Sequence, residues 1–423
     1  MSDLARRVER TYLGLMLGNT LAGSFIWGIN TLFLLDAGLT NLEAFAANAF
    51  FAGGMVLFEV PTGVVADTWG RRSSYLLGTV TLVLSTLLYW VLWRVHGPFW
   101  QWAAASVMLG LGFTFFSGAV EAWLVDALAF AGYDGDLDRI LGRGQMVSGA
   151  AMLGGALGGG VIAQETNLGV PYLLRGGVLV VTFVVAFVVM HDQGFQRQPL
   201  THPVAAVRSI IRGAIDGGWK VPPVRWAMLS APFAAGAGFY AFYAVQPYLL
   251  KVHGQGNSYA IAGVAAALVA GAQIAGGWLA PKLRARVQKR TTAIIVSAIV
   301  GSIAMVLLGI ESSLVTISVL IALWGLASSV GRPIRQAYMN GMIPASQRAT
   351  VLSFDSLMGS LGGVVFQPLL GEVADRGGYP LSFVAAGLIA LIAVPFMVAC
   401  RRLCHPADTA RPTEKGAAGP GGC

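Results

Sequence analysis

Two carboxylates stand inside long apolar runs of this sequence, each placed where a proton could be taken up and given back. Glu59 lies in Phe58-Glu59-Val60-Pro61-Thr62, eight residues before Asp67 at the end of the same run, or about 12 Å of helix. Glu121 lies in Ser117-Gly118-Ala-Val-Glu121-Ala-Trp123-Leu-Val-Asp126, five residues before a second boundary acid. Ionised and unpaired, such groups are expensive in lipid, so they face a cavity or a partner and mark function by default. Glu59 reads either as a proton-exchanging group or as a protonated, hydrogen-bonded packing residue. Glu121 reads as a proton site, as the acceptor for a cationic solute, or as the partner of Arg143 or Arg71. Pro61 is expected to bend its helix locally.

The elements that must hold these acids follow from composition. The chain has 423 residues, 56% hydrophobic and 11% charged, against about 25% charge in soluble domains. Lipid must therefore solvate it. The net charge of +8 sits in short gaps between apolar runs, as topology determinants do, which argues against nucleic acid as a partner. The cysteines, Cys400, Cys404 and Cys423, cluster at the C-terminus, so no disulfide framework is expected. Cys400-x-x-x-Cys404-His405 is not a zinc pattern, and no metal or other cofactor is expected. The first apolar run has no small-residue cleavage site after it and reads as a retained helix. A Gly-x-x-x-x-Gly-Lys-Ser/Thr loop is missing, which argues against direct ATP drive. No span pairs His with acids at metal spacing or carries a nucleophile elbow, so an enzyme is not expected.

Twelve stretches are long enough for the roughly 20 residues a crossing needs. They lie near Thr11 to Leu35, Leu42 to Ala66, Ser74 to Trp93, Phe99 to Val125, Gln145 to Ala163, Pro171 to Met190, Arg225 to Leu250, Tyr259 to Ala280, Thr291 to Ile310, Leu314 to Val330, Val351 to Leu370 and Leu381 to Cys400. With both termini inside, 24 of the 28 Lys and Arg fall on the inner side, leaving Arg94, Arg175, Lys251 and Arg376 outside. Such a bias predicts a multi-pass protein of a bacterial cytoplasmic membrane with cytoplasmic termini. The expected plan is an N-terminal six-helix bundle over 1–190, a cytoplasmic linker over 191–224, a C-terminal six-helix bundle over 225–404 and a disordered tail over 405–423. Within the linker, Val204 to Ile215 carries Arg208 and Arg212 among apolar residues and could lie as a surface helix. An internal repeat at an offset of 205 residues pairs Arg143, Ser148, Gly154 and Gly158 with Arg348, Ser353, Gly359 and Gly363, as two bundles related by a pseudo-twofold axis would.

The stretch Gly63-Val-Val-Ala-Asp67-Thr-Trp-Gly70-Arg71-Arg72 resembles the Gly-x-x-x-Asp-x-x-Gly-Arg-Arg/Lys loop of the major facilitator superfamily, with every defining position filled. Physically, Gly63 permits close helix approach, Asp67 ends a membrane helix and Gly70 allows a tight turn. The resemblance implies that Asp67 and Arg71 form a charge relay with an acid at the inner end of the fourth span, where Asp126 stands, latching one conformational state. The second-half counterpart, Gly276-Gly277-Trp-Leu-Ala-Pro-Lys-Leu-Arg284, has lost the Asp, so the latch is expected to be asymmetric. Gly154-Gly155-Ala-Leu-Gly158-Gly159 is similar to the Gly-Pro-x-x-Gly-Gly element of facilitator antiporters, with Gly155 for the proline; generic close packing explains these glycines as well. Many exporters of this family carry an Arg four residues before the fourth-span glycine, where this sequence has Ser106 before Gly110.

The resemblance further implies that the first, fourth, seventh and tenth spans line a cavity. Asn19, Trp27 and Asn30 in the first span, Tyr240, Tyr243 and Gln246 in the seventh and Gln273 in the eighth are the candidates to meet a solute; Asp355 and Gln367 in the eleventh stay open. The expected fold is all-α integral membrane, twelve transmembrane helices in two pseudo-symmetric bundles. Its expected work is proton-coupled efflux of a small amphipathic compound, a drug or a metabolite, by alternating access. The alternatives are a proton-coupled nutrient importer and a transport-inactive sensor or scaffold. The partners implied are the solute, protons and membrane lipid, with no obligate protein partner.

Overall fold

Lipid offers no hydrogen bonds to a bare backbone, so apolar runs of this length close their own ladders as helices. The computed structural model describes residues 2–116, 118–135, 137–195, 218–254, 258–343 and 348–409, and these are α-helical with short connections. The helices are α1 (Asp3–Trp27), α2 (Asn30–Asp36), α3 (Asn41–Trp69), α4 (Arg71–Val95), α5 (Phe99–Thr114), α6 (Ala119–Phe130), α7 (Leu137–Glu165) and α8 (Val170–Val189). They continue as α9 (Pro222–His253), α10 (Tyr259–Arg286), α11 (Arg290–Leu308), α12 (Leu314–Met342), α13 (Arg348–Leu391) and α14 (Ala393–Arg402). Ten elements among the described residues are long and apolar enough to cross a membrane. The bent pair α1–α2, broken by 47°, supplies the first expected span, and the 52-residue stretch Val351–Arg402 is long enough for the last two.

Four spans are less regular than periodicity suggests. The first breaks between Trp27 and Asn30. The fourth breaks between α5 and α6, with Gly118 in the left-handed region at φ +68. The eleventh and twelfth run together in α13 across a kink at Gly378. Pro61 lies inside an α3 that continues through it. The surface helix expected over Val204 to Ile215 lies outside the described residues.

The chain packs as two compact units. The first takes the described residues of Met1–Val207, Phe242–Ala270 and Gln367–Arg376; the second takes those of Arg208–Ala241, Gly271–Phe366 and Gly377–Cys423. In the first, α3 packs on α5, α1 on α7, and both α1 and α4 on α8. An aromatic core sits near one end of this unit: Phe33 stacks on Tyr172 at 3.8 Å and meets Trp93 and Trp102, while Tyr89 meets Trp102 edge-on at 5.2 Å. Such pairs add to what burial alone contributes. The α3 N-terminus is doubly satisfied, by a Thr40–Glu43 capping box and by Asp375, which accepts from the Asn41 and Leu42 amides at 3.0 and 2.8 Å. Outward-facing Val181, Val188 and Leu57 are exposed, as a lipid-facing belt requires.

In the second unit α11 packs along α12, and α13 crosses α9 where Gly362 lies on Pro232. The tail departs from expectation. Residues 405–409 are ordered: Asp408, 3% exposed, accepts from the Thr291 amide at 2.7 Å and its hydroxyl at 2.8 Å, while Arg290 donates to the Ala407 carbonyl at 2.6 Å. A cap on the open amides of α11 holds this turn, and a Gly/Ala/Pro-rich sequence read for composition could not reveal it.

Candidate functional site

The handover from α3 to α4 builds a compact charge cluster in the first unit. Gly70, at φ +104 and ψ 155, makes a turn that a side chain would strain, and a Cβ there would also strike the Asp192 carboxylate. The turn sets Asp67 and Arg71 one helical turn apart, with Arg71 Nη1 at 2.6 Å from Asp67 Oδ1 and Nε at 4.0 Å from Asp126 Oδ2. The guanidinium, 18% exposed, lies deeper than either carboxylate, at 39% and 35%. One cation thus ties α3, α4 and α6 together. Gly63 departs from its expected role, because a Cβ there would meet nothing within 4 Å; this helix approaches its neighbour instead at Gly54, against the Val107 carbonyl at 2.7 Å.

Arg72 turns the other way. It donates to the Phe187 carbonyl at 2.6 Å and lies 5.0 Å over the Phe187 ring. Its amide donates to Asp192 Oδ1 at 2.8 Å, so Asp192 caps the first turn of α4. The Trp123 indole fixes the same segment on α6 by donating to the His191 carbonyl at 2.8 Å. Nothing in the local sequence marks Asp192, whose partner lies 120 residues away. Burial pushes its carboxyl above the ordinary value, against the opposing pull of the Arg72 amide and the charges of Arg72 and Arg71. The sign follows from linkage: a raised carboxyl contributes stability below its ordinary value of 3.8 and loses it as pH rises through the raised one. Labelling of a cysteine placed at Gln193, normalised to unfolded protein, is therefore expected to rise across that window. In Asp192→Asn, which keeps the acceptor, the rise should vanish; an unchanged rise would contradict the assignment.

Glu59 and Glu121 are both exposed side chains of apolar helices. Neither Arg143 nor Arg71 pairs with Glu121 among the described residues: Arg143 pairs with Glu9 at 2.5 Å, and Arg71 with Asp67 and Asp126. Glu121 opens α6 within electrostatic reach of Tyr12. Glu9 was missed because α1 begins at Asp3, a full two turns before the apolar run.

The glycine element of α7 divides by face. A Cβ on Gly159 would run into the Phe25 carbonyl and one on Gly155 would meet Ser24 at 2.6 Å, so these two let α7 lie directly on α1. Gly154 meets nothing within 4 Å, and Gly158 only the Phe25 ring at 3.8 Å. Close packing explains half the motif.

Of the polar residues expected to meet a solute, several converge in the first unit. Gln246, 1% exposed, donates to the Trp27 carbonyl at 2.6 Å and accepts from the Thr31 amide at 3.2 Å, satisfying backbone groups freed at the α1–α2 break. Asn30 donates to Asn48 and accepts from the Tyr172 hydroxyl, each at 3.0 Å. Tyr243 is half-buried in the same unit. The others lie elsewhere. Asn19 is half-buried beside Tyr75, Gln273 is half-buried on α10, and Tyr240 is fully buried in the second unit, donating to Ser382.

Arg175 is more than a topology charge. Counted above as an outer charge, it is a buried residue of α8, 2% exposed, with its guanidinium 6.0 Å from the Phe113 ring. Ser106, where a family Arg was expected, accepts from Tyr89 at 2.6 Å and donates to the Trp102 carbonyl at 2.8 Å. Seven residues apart on α5, Ser106 and Phe113 share a face, so a cation does reach this face of α5, from another helix. The second unit has its own buried ion pair, in which Arg335 of α12 grips both oxygens of Asp355 on α13 at 2.6 and 2.7 Å and also donates to the Ala227 carbonyl of α9.

These features can be set beside known proteins. No curated protein matches the sequence. Among solved structures, the nucleoside transporter NupG is similar, with a TM-score of 0.77 at 9% identity over 95% of this chain and 100% of that one. A bacterial homolog of the human lysosomal transporter Spinster gives 0.73 at 15% identity over 95% and 98%. A D-xylose–proton symporter gives 0.65 at 16% identity over 93% and 96%. At such identities the likeness is one of fold. The profile of the Major Facilitator Superfamily matches residues 11–318 and 285–420, and with the Gly70 turn, the Asp67–Arg71–Asp126 charge cluster and the helical fold in place, this chain is a membrane transporter belonging to that superfamily.

Proposed function

We propose that the chain exports a small amphipathic compound from the bacterial cytoplasm in exchange for protons, by alternating access. The observation that carries the alternating-access part is the Arg71 bridge, a single guanidinium shared by carboxylates on two other helices. A contact of this kind is discrete, made in one state and broken in another, and so suits a two-state element. Proton coupling rests on Glu59 and Glu121, whose exposed carboxyls lie in apolar helices where only an aqueous path or a partner makes them affordable. Protonation from outside would weaken solute binding, and proton release inside would reset the site. The basic bias places the Asp67–Arg71–Asp126 cluster and both termini on the cytoplasmic side, with a six-helix bundle on either side of the 191–224 linker.

Proton-coupled uptake is the second reading, favoured by the likeness to a proton symporter. One screen separates the two. Cells with and without the protein are compared for accumulation of compounds from several chemical classes. Export predicts that at least one amphipathic compound accumulates less in expressing cells and that a protonophore abolishes the difference. Greater accumulation would establish uptake, and no difference for any compound would contradict transport.

A further inference from the structure

The polar cluster around the α1–α2 break has its side-chain amide oxygens engaged and buried donors left over. Asn30 Oδ1 accepts from Tyr172, Asn48 Oδ1 from Asn30, Gln246 Oε1 from the Thr31 amide and Ser106 from Tyr89. Three buried groups remain without a hydrogen-bond partner: Asn48 Nδ2, Thr31 Oγ1 and Arg175 Nε. Their residues are 5%, 0% and 2% exposed. Each can donate.

The three belong to one connected patch. Thr31 adjoins Asn30, which bonds both Asn48 and Tyr172, and Arg175 follows Tyr172 by three residues, one turn of α8. The ionisable neighbours of Arg175 are the phenols of Tyr172, Tyr89 and Tyr243, and no Asp or Glu forms an ion pair with it among the described residues. A buried guanidinium without a carboxylate is costly, because its field in a low-dielectric surrounding has nothing to end on. Leaving three buried donors unmade is costly, since each loses its water without gaining a partner. One group could satisfy them all: a bound oxyanion with several lone pairs. Tyr89, Tyr172, Phe113 and Trp102 surround the patch with rings, which suits an acid carried on an apolar body.

We propose that Arg175, Asn48 and Thr31 form an anion-accepting subsite for the carboxylate of a small amphipathic organic acid. That this acid is cargo rests on the transport reading above; that it binds does not. The subsite deepens the transport reading by naming the solute's charge, and it turns the Glu121 alternative of a cationic solute around.

The test uses the purified wild-type protein in detergent and zwitterionic, chloride-free buffer, following thermal unfolding with acetate, phenylacetate or benzoate. The matching neutral amides and chloride serve as controls. At least one carboxylate is expected to raise the unfolding temperature saturably, as selective binding to the folded state does, while its amide does not. Arg175→Gln should weaken the midpoint concentration at least tenfold, and Arg175→Lys less, since it keeps charge and loses the planar fork. Asn48→Asp, which sets a like charge beside the anion, should abolish the effect independently if Arg175→Gln does not fold. The subsite is overturned if none of the three carboxylates stabilises, if the amide matches its acid, or if both variants keep the wild-type midpoint. Equal protection by chloride, with the same Arg175 dependence, would overturn it too, making Arg175 the seat of an inorganic counter-ion. Carboxylate binding without solute movement in vesicles would contradict transport and leave the subsite standing; movement without binding would do the reverse.

Discussion

Replacing Arg335 by alanine is expected to destabilise the protein by about 3–5 kcal/mol, the usual consequence of leaving one member of a buried ion pair alone. The geometry justifies the upper part of the effects that single substitutions produce. Both Asp355 oxygens are gripped, the Ala227 carbonyl is satisfied by the same side chain, and Asp355 is only 9% exposed. Truncation therefore orphans the Asp355 carboxylate and unties α9, α12 and α13, although the Ala227 carbonyl keeps the Ser230 hydroxyl as a donor at 2.6 Å. The double change Arg335→Leu with Asp355→Leu should restore most of the loss, because removing both charges also removes their desolvation cost. Thermal unfolding in detergent measures both. Single and double variants of equal stability would show that the pair is solvated.

Arg71→Ala is expected to lower transport at least tenfold while barely moving stability. The Arg71–Asp67 pair has side chains 18% and 39% exposed, and pairs that wet contribute about 0–1 kcal/mol. What Arg71 supplies is a choice between states: by engaging Asp67 and Asp126 it stabilises the arrangement seen here over any in which α3, α4 and α6 separate. Arg71→Lys should fall between, since an ammonium keeps the charge without two separated donors. Transport assayed on folded, reconstituted protein decides; wild-type flux in Arg71→Ala, or a collapse of its unfolding temperature, would contradict a latch.

What the sequence disclosed here depended on how far apart the interacting residues lie. Asp67, Gly70 and Arg71 were legible because four to five positions and one sharp turn make the whole device, and Asp126 followed from the resemblance. The helices were legible for a similar reason, since a span is a local run. The burial of Arg175 was not legible, because an arginine near a span end looks like a loop charge until tertiary packing closes over it. Glu9 and Asp192 were invisible because their partners are 134 and 120 residues away. Gly63 and Gly158 show the converse limit: a glycine names a chance for close approach, and only the neighbouring helix decides whether it is used. Asn30 and Gln246 were found as polar residues in apolar runs, yet their roles, holding a broken helix and spending the acceptors near Arg175, came from the fold.

Solute flux in proteoliposomes under an imposed pH gradient tests the proposed exchange most directly, using a compound selected by the cell screen. Wild-type protein is expected to drive that compound against its own gradient while protons run down theirs. Glu59→Gln and Glu121→Gln, equally well folded, should between them lose the coupling: with both carboxyls neutral, flux follows the solute gradient alone. Undiminished proton-driven flux in the doubly substituted protein, or wild-type flux no greater than in empty liposomes, would contradict the account.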